Sequence, residues 1–345
     1  MMTTMTKQIT SSLELRDAST AEIAEILRAN YLEWASGLDK TKYYEWIWWQ
    51  MRQPWAKRNY RYMGAFQSNH LVSSCKIYTL YFQSRGHVYK IAGVGAVFTP
   101  PTHRGCGYGS EMIDKAVDLC EKEDYDGMLL YSDIAPEFYG RSGFEELGDN
   151  EFHLWLDGEQ TSTLKRDNEQ QFHLSKVSAE AVPAMISHYR RYLARQSFGI
   201  VRDEMYWGYK LERERYLAMH SSAHWPNLEI LQLTARDKDG GYAIFEHGGK
   251  ILRALEIIGS EDAVNRLWCG ILDIGRERKV ELVRGWEGIS RPDRSGRSDR
   301  PDRPYACDFK FVERDWAHPM LLPFNARLDS WLDAVPCPLL ELDHF

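Results

Sequence analysis

The stretch "VFTPPTHRGCGYGS", residues 97–110, leaves a β-branched run, crosses Pro100 and Pro101, and then sets Gly105, Gly107 and Gly109 at every second position. Glycine at a strand-to-helix junction lets backbone N–H groups face something bulky and anionic. The neighbouring residues narrow the choice of anion loop. A P-loop needs Lys-Ser or Lys-Thr after its last glycine, and Tyr108-Gly109-Ser110 supplies neither. A dinucleotide fingerprint needs GxGxxG inside a parallel βαβ unit; the spacing here is GxGxG, and the strands before it read as antiparallel. Two readings remain. One is a pyrophosphate-type loop at a helix N-terminus, with Arg104 adding positive charge; the other is a glycine-rich turn before an ordinary helix.

Upstream of the loop, residues 13–18 suit a first strand and Thr20 to Asn30 a helix. Residues 40–52 carry "YYEWIWWQM", too aromatic for an exposed helix. Runs at 60–66, 71–82 and 88–99 are rich in Val, Ile, Tyr and Phe, and their short connections predict antiparallel pairing. Downstream, Met112, Ile113, Ala116, Val117 and Cys120 give a helix its apolar face, with Ser110 and Glu111 in the first turn. A short buried strand at 127–132, a brief helix at 135–141 and a terminal hairpin over 143–156 complete a first domain, residues 1–158. Residues 159–170 read as a linker, and 171–345 as a second domain. That half repeats the order: strand 171–176, helix 178–193, strands 228–235, 241–246 and 250–258, helix 261–275, strand 279–284. The repeat is one of architecture, with no evident identity between the halves.

Composition bounds the function. The formal net charge is −7, which disfavours bulk affinity for nucleic acid and suits a cationic small substrate. The six cysteines are scattered without a CxxC pair, so neither a disulfide framework nor a zinc site is expected. "MMTTMTKQITSS" lacks an apolar leader and no run approaches 18 apolar residues, which points to a soluble, cytoplasmic chain without a membrane partner.

Arg104-Gly105-Cys106-Gly107-Tyr108-Gly109 resembles the R/Q-x-x-G-x-G signature of the GCN5-related N-acetyltransferases (GNAT), which hold acetyl-coenzyme A. Tyr139-Gly140-Arg141-Ser142-Gly143-Phe144 is similar to the Y-x-x-x-G-F segment of that superfamily. "PTHRG" and "YGRSGF", with 198–211 and 241–273, resemble the tandem, Eis-like acetyltransferases, whose second domain is a degenerate copy. The resemblance implies an α+β fold of two GNAT-like domains, each a mixed, mostly antiparallel sheet flanked by helices. No RxxGxG follows in the second half, so only the first is expected to take coenzyme. Eis-like chains end in a sterol-carrier-like domain, and too few residues follow Arg284 for a full version.

The same resemblance implies residue roles. Val97, Phe98 and Thr99 flank the pantetheine arm and thioester. Arg104, Gly105, Cys106, Gly107, Tyr108, Gly109 and Ser110 take the pyrophosphate, and Ser132 and Asp133 line the opposite wall. Tyr139 holds the general-acid position, and a phenol, with a reference pKa of about 10, is protonated at neutral pH. The C-terminal carboxylate, here Phe345 at the end of the strand-like "LLELDHF", is a base or ammonium anchor; Glu45, Asp133, Glu137 and His344 are alternatives. The implied reaction is direct attack of an amine on acetyl-coenzyme A in a ternary complex, with no cysteine acyl-enzyme. The acceptor is a small cationic amine, an amino acid or a lysine side chain. The competing reading is a non-catalytic coenzyme-sensing or protein-binding module. A homo-oligomer is compatible with either.

Three further features read as structural. Tyr43, Tyr44, Trp46, Trp48, Trp49 and Trp55 suit a core more than a cation-binding face. His220 and His224 lack a third ligand, so no metal is expected. Arg291, Arg294, Arg297, Arg300 and Arg303, three apart among prolines, read as a solvated loop rather than a polyanion dock.

Overall fold

The computed structural model describes residues 13–148, 150–156, 171–176, 182–222, 227–234, 240–291, 308–334 and 336–345. The linker 159–170, His224 and the arginine repeat beyond Arg291 lie outside the described residues. The first half runs β1 (Glu14–Asp17), α1 (Thr20–Trp34), α2 (Lys40–Arg52), α3 (Ala56–Asn59), β2 (Tyr60–Gln67), β3 (His70–Ser84), β4 (His87–Phe98), α4 (Tyr108–Lys122), β5 (Gly127–Ser132), α5 (Glu137–Gly140), β6 (Glu145–Glu146) and β7 (Asn150–Trp155). The second half adds β8 (Gln171–Lys176), α6 (Val182–Leu193), β9 (Gly199–Ile200), α7 (Glu204–His220), β10 (Asn227–Thr234), β11 (Gly241–Gly248), β12 (Ile251–Gly259), α8 (Glu261–Glu277), β13 (Leu282–Trp286), β14 (Lys310–Glu313), β15 (His318–Pro323) and α9 (Asp329–Leu332).

Local signals fix the helix ends. Ser19 caps α1 by accepting from the Glu22 N–H, while the Glu22 carboxylate accepts from the Ser19 N–H at 2.7 Å, a reciprocal capping box. Asp39 caps α2 and Ser260 caps α8 by a single bond each, accepting from the N–H groups of Lys42 and Ala263. α2 is helical despite its aromatic content because only one side meets solvent: Tyr43, Trp46, Ile47 and Gln50 are buried. The aromatic cluster is core, packed with α1, β2 and β3 and with Tyr206 and Tyr209 of α7.

Two sheets result, ordered β1-β2-β3-β4-β5-β15-β6, with β9 beside β3, and β14-β7-β13-β12-β11-β10-β8. Within each, three antiparallel strands lead through a helix to a parallel fourth: β2-β3-β4, α4, β5 and β10-β11-β12, α8, β13. This is the α+β pair of mixed, mostly antiparallel sheets, each built mainly from one half.

Two expectations need correction. Residues 143–156 do not close into a hairpin: β6 stays in the first sheet, while β7 pairs β13 and β14 in the second. In exchange β15 enters the first sheet, antiparallel to β5 from His318↔Ser132 to Pro323↔Gly127. The ending "LLELDHF" is not a strand: residues 337–340 are extended without pairing and Glu341–Asp343 form one 3-10 turn. The strand that returns to the first half is β15, some twenty residues earlier.

Candidate active site

β4 and β5 are parallel neighbours from Ile91↔Gly127 to Val94↔Leu130, and there the pairing stops, although β4 continues to Phe98 and β5 to Ser132. A bulge causes the separation. Against β3 the register passes from Lys76↔Gly95 to Ser74↔Phe98, and Ala96 sits at φ +47°, in the left-handed region that a residue with a side chain seldom occupies. The distortion turns β4 out of the sheet and releases the backbone of Ala96 and Val97 from ladder pairing.

The cleft at this fork belongs to a cavity of about 1130 Å³. At its outer end lies the glycine loop. Gly105 and Gly107 have φ +78° and +86°, where L-residues are strained, and Gly107 is the N-cap of α4. At Gly109 the constraint is space, since a Cβ there would lie 3.2 Å from Thr99 Oγ1. The N–H groups of Tyr108, Gly109 and Ser110 therefore open the N-terminus of a 15-residue helix toward the cleft, a ready anion site. Arg104 stands at the mouth, donating to the Thr99 carbonyl at 3.0 Å and pairing with Glu33 of α1 at 2.6 Å.

Of the residues singled out from the sequence, Val97, Phe98, Thr99, Arg104, Gly105, Gly107, Tyr108, Gly109, Ser110, Asp133, Tyr139 and Phe345 line this one cavity. Ser132 and Cys106 do not line it. The Ser132 hydroxyl turns back to donate to the Ile134 carbonyl at 2.7 Å, and Cys106 points to solvent. Tyr139 is buried between Phe138 and Phe144, and that burial raises its phenol pKa above the ordinary range. Asp133 accepts from the Ala317 N–H at 2.9 Å, tying the cleft wall to the start of β15. Glu45 and Glu137 are exposed and outside the cavity, and Glu45 is paired with Lys42.

The last residues reach the fork. The Phe345 ring packs on Tyr78 and Tyr131 and covers Gly93, whose Cβ position lies 2.8 Å from the ring. Its carbonyl oxygen is 3.3 Å from the Cβ position of Gly95, so glycine at 93 and 95 makes the space the tail occupies. His344 is enclosed by Tyr131, Trp286 and Trp316, and its pKa falls to about 3 through burial and then through Lys210 and Arg213 nearby. Its carbonyl accepts from Lys210 Nζ at 2.7 Å. Asp343 accepts two hydrogen bonds from the fully buried Arg202, at 2.9 and 2.8 Å, and Arg202 also pairs with Glu256.

Comparison with known proteins adds the family. Residues 14–147 match the family model described as acetyltransferase (GNAT) domain. Over 95% of its length the chain superposes on a GCN5-related N-acetyltransferase from Kribbella flavida, covering 75% of that chain with TM-score 0.64 and 15% identity. Residues 14–147 thus form a GNAT domain, and the chain as a whole shares the fold of that acetyltransferase. Eis1 from Mycobacterium abscessus is similar over 90% of this chain and 73% of that one (TM-score 0.54, 15% identity). The N-myristoyltransferase of Saccharomyces cerevisiae is similar over 92% and 80% (TM-score 0.51, 10% identity). No curated protein sequence matches. At such identities the likeness is one of fold.

Sequence reading did not find the inner half of the GNAT cavity. Lys76 on β3, Arg213 and Glu214 on α7, Glu246 and Arg253 on the second sheet, and Trp316 and Glu341 of the C-terminal segment all line it. Lys76 had one signal, a single charge inside the apolar run 71–82. The rest come together only through packing of the two halves.

Proposed function

We propose that this GNAT-fold chain is an N-acyltransferase that moves an acetyl group from acetyl-coenzyme A to an amine by direct attack in a ternary complex. The observation that carries the reading is the convergence, in one cavity, of the helix-capped glycine loop, the bulged end of β4 and Tyr139. The loop 104–110 would hold the pyrophosphate, with Arg104 released from Glu33 to meet it. The unpaired backbone at Ala96 and Val97 would fix the pantetheine arm and polarise the thioester carbonyl. Catalysis would belong to the first domain, residues 1–158, with the second serving as wall and anchor for the C-terminal segment. The Phe345 ring over Gly93 and Gly95 leaves little depth beside β4, which suits acetyl better than a long chain.

In the transfer the amine nitrogen bonds to the carbonyl carbon as the carbon–sulfur bond breaks. The amine gives up a proton and the departing thiolate takes one. Tyr139, kept protonated by burial, would supply the second. The first would pass to water in the cleft. The test is release of free thiol from acetyl-coenzyme A on adding a panel of amino acids, polyamines, aminoglycosides and peptides. Thiol release that tracks an acetylated product supports the reading. Coenzyme binding without product from any member overturns it in favour of a binding module.

A further inference from the structure

The inner end of the cavity is lined by α2, β3, α7, the second sheet and the C-terminal segment, and its charged groups are not all paired. Each of three carboxylates there has an arginine: Glu214 pairs with Arg213 at 2.9 Å, Glu246 with Arg253 at 3.0 Å, and Glu341 with the same Arg253. Lys76 is the cation at this end that stands outside these pairs. It makes no ion pair with any carboxylate among the described residues, and its ammonium is held over the rings of Tyr60 and Tyr62, at 5.7 and 5.6 Å. One turn apart on α2, Trp46 and Gln50 face the same cavity. Tyr209 donates to the Gln50 Oε1, so the Gln50 Nε2, in a side chain only 2% exposed, and the Trp46 Nε1 are left without an acceptor among the described residues. This end of the cavity thus offers one unpaired cation and two N–H donors, and no acceptor among the described residues is bonded to any of the three.

We propose that it is a carboxylate subsite, and that the acceptor is a small amino acid whose carboxylate meets Lys76 while its amine faces the end of β4. The inference rests on the acyltransferase reading. Register supplies the span. Lys76 is paired with Gly95, so its side chain leaves the same face of the sheet, and Val97 lies two residues further along the bulged end of β4, at most about 7 Å at full strand spacing. That distance suits a single small molecule bearing both groups. Burial and the neighbouring Arg213 push the Lys76 pKa down to about 7, so an arriving carboxylate would also restore its charge.

The subsite is tested by equilibrium binding, without need of turnover. The full chain, saturated with coenzyme A, is titrated calorimetrically with each of the twenty common amino acids and with the matching amino-acid amides, which lack only the carboxylate. At least one amino acid should bind, and its amide at least about tenfold more weakly, the scale of a lost charge-assisted hydrogen bond. Lys76→Met should erase that difference while leaving amide affinity unchanged, and Lys76→Arg should retain most of it. The proposal is overturned if no amino acid binds, if amides bind equally well, or if Lys76→Met weakens acid and amide alike. If a bound amino acid is not acetylated, the transferase reading fails alone. If amines are acetylated with no regard to a carboxylate, the subsite fails alone.

Discussion

Tyr139 shows how one side chain takes its chemistry from its surroundings. Burial beside Phe138 and Phe144 raises the pKa of its phenol, so the proton stays in place at neutral pH. Tyr139→Phe removes only the hydroxyl. It should leave acetyl-coenzyme A affinity unchanged and lower kcat by about ten- to ten-thousand-fold, the range for a general acid; equal kcat values would remove Tyr139 from the reaction. Gly107 is constrained by backbone instead. At φ +86°, with nothing within 4 Å of its Cβ position, Gly107→Ala should cost about 1 kcal/mol from strain alone, read as a shift in denaturant midpoint. Both residues were legible in the sequence because each sits in a short motif whose meaning is local. Lys76 was not, since a lysine in an apolar strand normally points outward. Only the bulge in β4 and the packing of the second half turn its position into the inside of a cavity. Ser132 failed for the opposite reason: its place at a strand end was read correctly, but its hydroxyl satisfies its own turn.

Among the elements, helices and most strands follow from period and capping, and partners do not. α1 is an example of local determination. Ser19→Ala should lower stability by about 1 kcal/mol in chemical denaturation, the usual worth of an N-cap. Glu22 ties the same cap to Arg16, whose guanidinium lowers its pKa to about 2. Because that folded-state value is depressed, its stabilising contribution is complete above the ordinary carboxylate range and is lost as pH falls toward 2. The alternation of residues 150–155 names a half-buried strand, whichever sheet receives it. Nothing in six residues says that β7 crosses to the second sheet while β15 takes the place beside β5. For the same reason "LLELDHF" looked like a strand. Its apolar residues are indeed buried, but against both halves at once, without a ladder.

At the scale of the molecule, the two halves are joined by exchanged strands and by the tail, whose polar groups are held by Arg202, Lys210 and Arg253. Rings of Tyr131, Trp286 and Trp316 enclose His344, and Lys210, Arg213, Arg253 and Arg314 oppose its protonation. Its folded-state pKa, about 3, lies below the ordinary histidine value. The unfolded chain therefore takes up a proton first as pH falls, and stability drops from about pH 6.5 downward. Thermal unfolding at pH 7.5 and pH 5 should show that loss in the wild type and much less of it in His344→Phe; equal losses would place the pH sensitivity elsewhere.

Under the proposed function the first domain alone holds the coenzyme, through the loop at 104–110. Isothermal titration of the full chain with acetyl-coenzyme A measures this directly. We predict one site per chain, and loss of binding in Gly107→Glu, which sets a carboxylate at the helix N-terminus where the pyrophosphate would lie. Two sites per chain, or wild-type affinity in Gly107→Glu, would contradict it.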